Sequence, residues 1–207
     1  MEMMIVRPPV LGWIETKLSD DIISHLWDVI SDPVCDVSNM LAGNITSSKK
    51  LKHSDRMWDE VLIPLINTYS TEFDNLGNSV PTSFPMPYKL DSWWVNYQNQ
   101  TEFNPLHNHS GVYSFVIWMS IPTTYENQKQ LPIAVSSHSN DISNFSFFYS
   151  NILGESRPYV YEMKPDCEGT MLFFPSRLPH IVYPYYNCDK QRISISGNIT
   201  LGYEGFN

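Results

Sequence analysis

The sequence predicts a mainly β fold with a helical flank, an α+β arrangement in which N-terminal helices support a jelly-roll core of the double-stranded β-helix, cupin-like kind. Three observations carry this. Apolar residues at helical spacing are confined to the first 87 residues. From Tyr88 onward the chain turns into short aromatic and β-branched runs. Gly, Pro and Asn turns separate those runs, and helices followed by about seven or eight strands make a sandwich or barrel with helices to one side. Residues 1–207 are expected to form a single domain, with 1–87 as strand and helical support and 88–207 as the jelly-roll core.

In chain order, residues 9–16 read as a short strand or extended lead-in. From Asp20 to Ser31, Ile22, Ile23, Leu26, Trp27 and Ile30 recur at helical spacing, with Ser19 or Asp20 as N-cap and Pro33 as the stop. His25 lies beside that stripe and is expected to pack there. Residues 35–54 are polar and read as loop. A second helix is expected from Ser54 to Phe73, with Trp58, Val61, Leu62, Leu65, Tyr69 and Phe73 on one side and Pro64 kinking or splitting it. Residues 74–87 are turn chemistry throughout. The strands expected after that are 90–98, 112–121, 132–136, 145–149, 157–163, 169–174, 180–184 and 191–201.

The formal charge of −9 and the absence of any basic run exclude a nucleic-acid partner, since phosphate contacts need clustered Lys and Arg. Cys35, Cys167 and Cys188 are odd in number and widely spaced, which suggests reduced thiols and a cytoplasmic setting. The opening Met1 to Pro9 has an early acid and no long apolar core, so no signal peptide is expected. No run approaches the roughly 18–20 apolar residues of a membrane span, so no membrane partner is expected either.

Two stretches concentrate the chemistry. Asn104-Pro-Leu-His107-Asn-His109-Ser-Gly111 places two imidazoles two residues apart, just before the most apolar run of the chain. Phe173-Phe-Pro-Ser-Arg-Leu-Pro-His180 supplies a third, and Gln191-Arg192-Ile193-Ser194 follows. In a strand, residues i and i+2 share a face, so His107 and His109 converge, and His180 from a distant strand completes one side of a metal shell. Imidazole suits Fe, Zn, Cu and Ni. Arg192, Ser194, Ser196 and Asn198 alternate with Ile193, Ile195, Gly197 and Ile199, so an inward polar face would bury the arginine. A buried guanidinium needs an anion, and its fork fits a carboxylate, with Ser194 able to bind the same group. A metal site beside an anion site suits a dicarboxylate that chelates metal at one end. The competing reading of Arg192 is a surface ion pair with Asp189 or Glu168.

The run from Trp93 to Gly202 resembles the 2-oxoglutarate- and Fe(II)-dependent oxygenases, and within them a group common in marine bacterial viruses and related to prolyl-hydroxylase-like enzymes. The residues that carry the resemblance are Trp94-Val-Asn96-Tyr97, His107-Asn-His109 leading into Gly-Val-Tyr113, Gly169-Thr-Met-Leu-Phe-Phe-Pro-Ser, His180, and Arg192-Ile-Ser194 twelve residues later. It implies that His107 and His180 bind Fe(II), that Arg192 and Ser194 bind the far carboxylate of the cosubstrate 2-oxoglutarate, and that Asn96 and Tyr97 touch it too. The family's middle ligand is an Asp or Glu two residues after the first histidine, and here that position is His109. Direct ligation by His109 is expected. The alternatives are a supporting role, with a water or Asn108 completing the shell, or a shifted register in which His109 takes the first-histidine place.

The function the resemblance implies is oxygenation, most plausibly hydroxylation of a peptide or protein of the prolyl type or of a small molecule. Rival readings are another metal-cupin enzyme with a three-histidine site, which leaves Arg192 and Ser194 unexplained, and a non-enzymatic viral jelly-roll protein. The stretches 122–132 and 137–158 are long and polar and are expected to act as lids. A monomer or homodimer is expected, in the host-cell cytoplasm if the source is viral.

Overall fold

The computed structural model describes residues 3–5 and 10–203; most of the opening segment, including the expected start of the first strand at Pro9, lies outside the described residues. Strand β1 (Ile14–Lys17) leads into helix α1 (Asp20–Ser31), whose N-cap Ser19 accepts the Ile22 amide N–H. The loop expected over 35–54 instead contains two short strands, β2 (Cys35–Asp36) and β3 (Ser48–Lys50). Polar residues form them because they sit at a sheet edge, where backbone pairing rather than apolar burial holds a strand. The second helix begins as α2 (Asp55–Met57), passes through a π-helical stretch (Trp58–Leu62) and continues as α3 (Ile63–Glu72). The wider π turns lie just before Pro64, which has no amide hydrogen to give to the preceding turn, so the helix is locally rewound rather than broken.

The remaining strands are β4 (Tyr88–Gln98), β5 (Asn104–His107), β6 (Tyr113–Ser120), β7 (Phe145–Ser150), β8 (Ser156–Tyr161), β9 (Thr170–Pro175), β10 (His180–Val182) and β11 (Arg192–Leu201). The expected strand over 132–136 is absent. A short helix α4 (Tyr125–Lys129) and turns occupy this region, with Ile133 and Val135 exposed. Two antiparallel sheets result, ordered β1-β9-β6-β11-β4-β3-β2 and β5-β10-β7-β8. The mainly β fold with a helical flank is therefore borne out.

Alternation along the central strands separates two cores. Phe115 and Ile117 on β6, Trp93 and Val95 on β4, and Ile195 and Ile199 on β11 face Leu26, Ile30, Leu62, Ile66 and Tyr69 of the helices. Val116 and Trp118 face the second sheet, packing with Phe145, Phe147, Leu172 and Phe174. Burial on both faces is why β6 reads as an unbroken apolar run. Towards one end of the space between the sheets the apolar packing gives way to the polar face of β11, and a cavity opens there. Among the described residues no helix is long and apolar enough to cross a membrane, and Cys35, Cys167 and Cys188 are free thiols.

Candidate functional site

His107 is the last residue of β5 and His180 the first of β10, and the register sets them directly opposite each other. His109 lies beyond the end of β5, so strand alternation alone does not aim it. The chain is turned there by Gly111 at φ +105°, where an added Cβ would stand 2.8 Å from the Ile199 carbonyl oxygen. The His109 amide N–H donates to the Ser176 carbonyl (2.8 Å) and the Val112 amide N–H to that of Ile199 (2.8 Å). The bend returns His109 to the other two rings: potential ligand atoms of His107, His109 and His180 all lie within 4.8 Å of one another. The Trp94 ring stacks on His109 at 5.8 Å between centroids.

The outer ring nitrogens share one arrangement. Nδ1 of His107 lies 2.7 Å from the Pro105 carbonyl oxygen, Nδ1 of His180 lies 2.9 Å from that of Leu178, and Nδ1 of His109 lies 2.6 Å from Oδ1 of Asn198. Oxygens that only accept require the proton on Nδ1, which leaves each Nε2 with a free lone pair. Burial lowers the pKa of all three. His109 falls to about 4 through burial, with the neighbouring His107 adding to the effect, and His180 is held well below its ordinary value by burial and then by the other two imidazoles. All three are neutral near pH 7.

The Nε2 atoms of His107 and His109 are 3.2 Å apart. Two lone pairs at that separation repel unless a cation lies between them. Nitrogens about 2.1 Å from one ion sit about 3.0 Å apart at a right angle and about 3.4 Å apart at a tetrahedral angle, so the spacing fits a shared metal.

Arg192 is fully buried, at 2% exposure. Its Nη2 donates to the carbonyl oxygen (2.7 Å) and Oγ (2.8 Å) of Ser143, and its guanidinium carbon lies 5.1 Å from the centre of the Tyr185 ring. Among the described residues Nε and Nη1 have no partner. Burial pulls its pKa down to about 10. Neither suggested surface partner pairs with it: Asp189 accepts from the Gln100 amide (2.9 Å), and Glu168 accepts the Ile121 amide N–H (2.7 Å). A buried cation with two unused donors is suited to an anion, and a carboxylate matches those donors in charge and geometry.

Both features open on one cavity of about 270 Å³. Ser194, Ser196 and Asn198 line it beside Arg192, as the alternation of β11 requires. Asn96 lines it from β4, with its Oδ1 accepting from the Ser48 hydroxyl (2.8 Å). Tyr97 does not join them. As the next residue along the strand it faces the helices, packing against the core cluster with its hydroxyl 3.5 Å from the Ile30 carbonyl. Expecting neighbouring residues of one strand to share a cavity neglected the period of two.

Several contributors escaped the sequence reading. Gln98, paired across from Arg192, lines the cavity, and its spacing of two from Asn96 was the available signal. Ser143 and Tyr185, which hold the guanidinium, carried none. Met40, Leu41, Ala42, Gly43 and Ile45 contribute to the lining, whereas nothing from 122–132 lines the cavity and from 137–158 only Phe145 does.

Residues 92–198, just over half of the chain, match the family described as "Putative 2OG-Fe(II) oxygenase". The chain belongs to that family. Oxygenases of this kind use Fe(II) and 2-oxoglutarate, and the protein is a 2-oxoglutarate-dependent dioxygenase. Among solved structures, a Pseudomonas putida prolyl-4-hydroxylase is similar, with 13% identity, a TM-score of 0.53, and coverage of 93% of this chain and 94% of that one. OsALKBH1 is similar at 12% identity and a TM-score of 0.51, over 94% of this chain and 98% of that one. At such identities the likeness is one of fold. No curated protein matches this oxygenase in sequence.

Proposed function

We propose that the oxygenase hydroxylates a neutral substrate, in the first place a prolyl residue of a peptide or protein and otherwise an uncharged small molecule, using His107, His109 and His180 to hold Fe(II). Arg192 and Ser194 take the far carboxylate of 2-oxoglutarate, and Asn96 orients it from the neighbouring strand. The observation that carries the reading is the pair of unused donors on buried Arg192 in the cavity that the three imidazoles enter. When bound, iron and 2-oxoglutarate supply oxygen activation coupled to decarboxylation of the cosubstrate to succinate. The chain supplies placement. Three neutral imidazoles donate Nε2, the guanidinium fixes the cosubstrate's far end, and Trp94, Trp118, Phe145 and Phe174 exclude water from the cavity wall.

The neutral substrate follows from the lining, where among the described residues Arg192 is the one Lys, Arg, Asp or Glu side chain and the rest is amide, hydroxyl, imidazole or apolar. The prolyl preference is supported by the fold shared with a protein described as a prolyl-4-hydroxylase. We further propose that the chain acts as one domain, as a monomer or homodimer in the cytoplasm, without a nucleic-acid partner. The test is succinate formation from 2-oxoglutarate with Fe(II), with and without proline-containing peptides, in wild type, His180→Ala and Arg192→Ala. Turnover lost in His180→Ala and a KM for 2-oxoglutarate raised at least tenfold in Arg192→Ala are expected. An unchanged KM in Arg192→Ala would remove the assignment.

A further inference from the structure

We propose that Asn198 is the positioning residue of the metal site, holding His109 in the Nδ1–H tautomer so that its Nε2 can ligate in place of the carboxylate. The proposal rests on the reading of the three histidines as ligands. His107 and His180 take their orienting acceptor from the backbone carbonyl two residues earlier, Pro105 and Leu178, an acceptor that no side-chain substitution removes. His109 alone depends on a side chain, at 2.6 Å.

Three side chains hold the Asn198 amide, those of His109, Ser114 and Ser92. Its Oδ1 also accepts from the Ser114 hydroxyl (2.8 Å), and its Nδ2 points to the Ser92 hydroxyl (3.4 Å). The Ser114 Oγ lies 2.9 Å from the Ser176 Oγ, both serines being fully buried. With Oδ1 of Asn198 facing it, Ser114 gives its one proton to that oxygen and so accepts from Ser176. In this orientation protons run from Ser176 to Ser114 to Asn198, and the amide oxygen accepts from His109. Ser176 closes the ring, because its carbonyl takes the His109 amide N–H. Asn198 also shares β11 with Arg192 and Ser194, so one strand carries the anion site and aims the third imidazole. An amide turned the other way would donate to Nδ1 and move the proton to Nε2, closing the ligand position.

The test begins on metal-free protein with ¹⁵N-labelled histidine at neutral pH, where the ring ¹⁵N shifts distinguish the two neutral tautomers. Wild-type His109 is expected as Nδ1–H. Asn198→Leu is expected to lose that tautomer and to bind Co(II) about 10- to 100-fold more weakly, the usual effect of removing a ligand's supporting acceptor. Asn198→Asp keeps the acceptor, and both the tautomer and Co(II) affinity should be retained or strengthened. An Nε2–H tautomer in wild type would overturn the proposal, and so would Asn198→Leu with both readouts unchanged. If Asn198→Leu does not fold, the wild-type tautomer and Asn198→Asp decide. Wild type that fails to bind Co(II) while His109 is Nδ1–H would sink the metal reading, and with it the positioning role of Asn198, while leaving only the tautomer assignment standing.

Discussion

Arg192→Met should leave the ligand-free protein nearly as stable as wild type, although it deletes a fully buried side chain. Burial holds the guanidinium pKa at about 10 instead of 12.5, a gap worth about 3 kcal/mol of desolvation that the substitution relieves. Against this, the two bonds from Nη2 to Ser143 disappear. Charged-donor hydrogen bonds are worth about 1.5 kcal/mol each at the low end, or about 3 kcal/mol together. The two contributions cancel to within about 2 kcal/mol, whereas removing one partner of a satisfied buried ion pair costs about 3–5 kcal/mol. Thermal unfolding under nitrogen with redox-inert Mn(II) separates the cases. For a chain of this size about 1 kcal/mol moves Tm by roughly 2–4 °C, so a change of no more than about 8 °C without cosubstrate is expected. In wild type, 2-oxoglutarate at about 100 times its Kd adds about 2.7 kcal/mol and should raise Tm by roughly 5–10 °C. Arg192→Met should show no such rise. A variant that loses more than about 10 °C without cosubstrate yet still gains from 2-oxoglutarate would show Arg192 to be structural.

The histidines give metal-free protein a pH dependence of known sign. His109 titrates near 4 in the folded state against about 6.5 unfolded, so the unfolded chain takes up the proton first and stability is lost as pH falls from 6.5 towards 4, by about 3 kcal/mol from this residue. Urea midpoints should fall less steeply across that window in His109→Leu, with His107 and His180 keeping their own dependence of the same sign. Gly111→Ala forces a side chain into φ +105° and within 2.8 Å of the Ile199 carbonyl; a cost of about 1–3 kcal/mol and weaker Co(II) binding are expected, by urea titration and visible absorption. Leu26→Ala, in the fully buried face of α1, should cost about 2–5 kcal/mol with Co(II) affinity unchanged, separating fold from site.

What was legible in the sequence is what a strand period or a close spacing encodes. The polar face of β11 was readable because Arg192, Ser194, Ser196 and Asn198 alternate with residues that fill the helix-side core. His107 and His180 were readable as a pair, though their meeting depends on a cross-strand register that only the folded sheets supply. Tyr97 was misplaced by a single step of the same period. Ser143 and Tyr185 were invisible for another reason. They reach Arg192 from loops, where no periodicity links position to direction, and the left-handed φ of 65° at Ser143 falls on a residue type that does not advertise it. The edge strands β2 and β3 were hidden because backbone pairing at a sheet edge places few demands on side chains.

On the proposed reading, His109 in place of a carboxylate changes the charge at the metal. Three neutral imidazoles leave a bound divalent ion its full charge, and Arg192 adds one more, with no acidic side chain in the lining to offset them. Doubly ionised 2-oxoglutarate brings the total from +3 to +1, where a carboxylate at position 109 would bring it to zero. One unit charge about 5 Å away, at an effective dielectric of about 20, is worth about 3 kcal/mol before screening. Wild type should therefore bind small competing anions at the metal more readily than His109→Asp does. Steady-state turnover with rising chloride at constant ionic strength should show stronger inhibition, competitive with 2-oxoglutarate, in wild type. Equal inhibition of the two proteins would mean that His109 does not set the charge at the metal, and would favour the arrangement in which a water or Asn108 completes the shell.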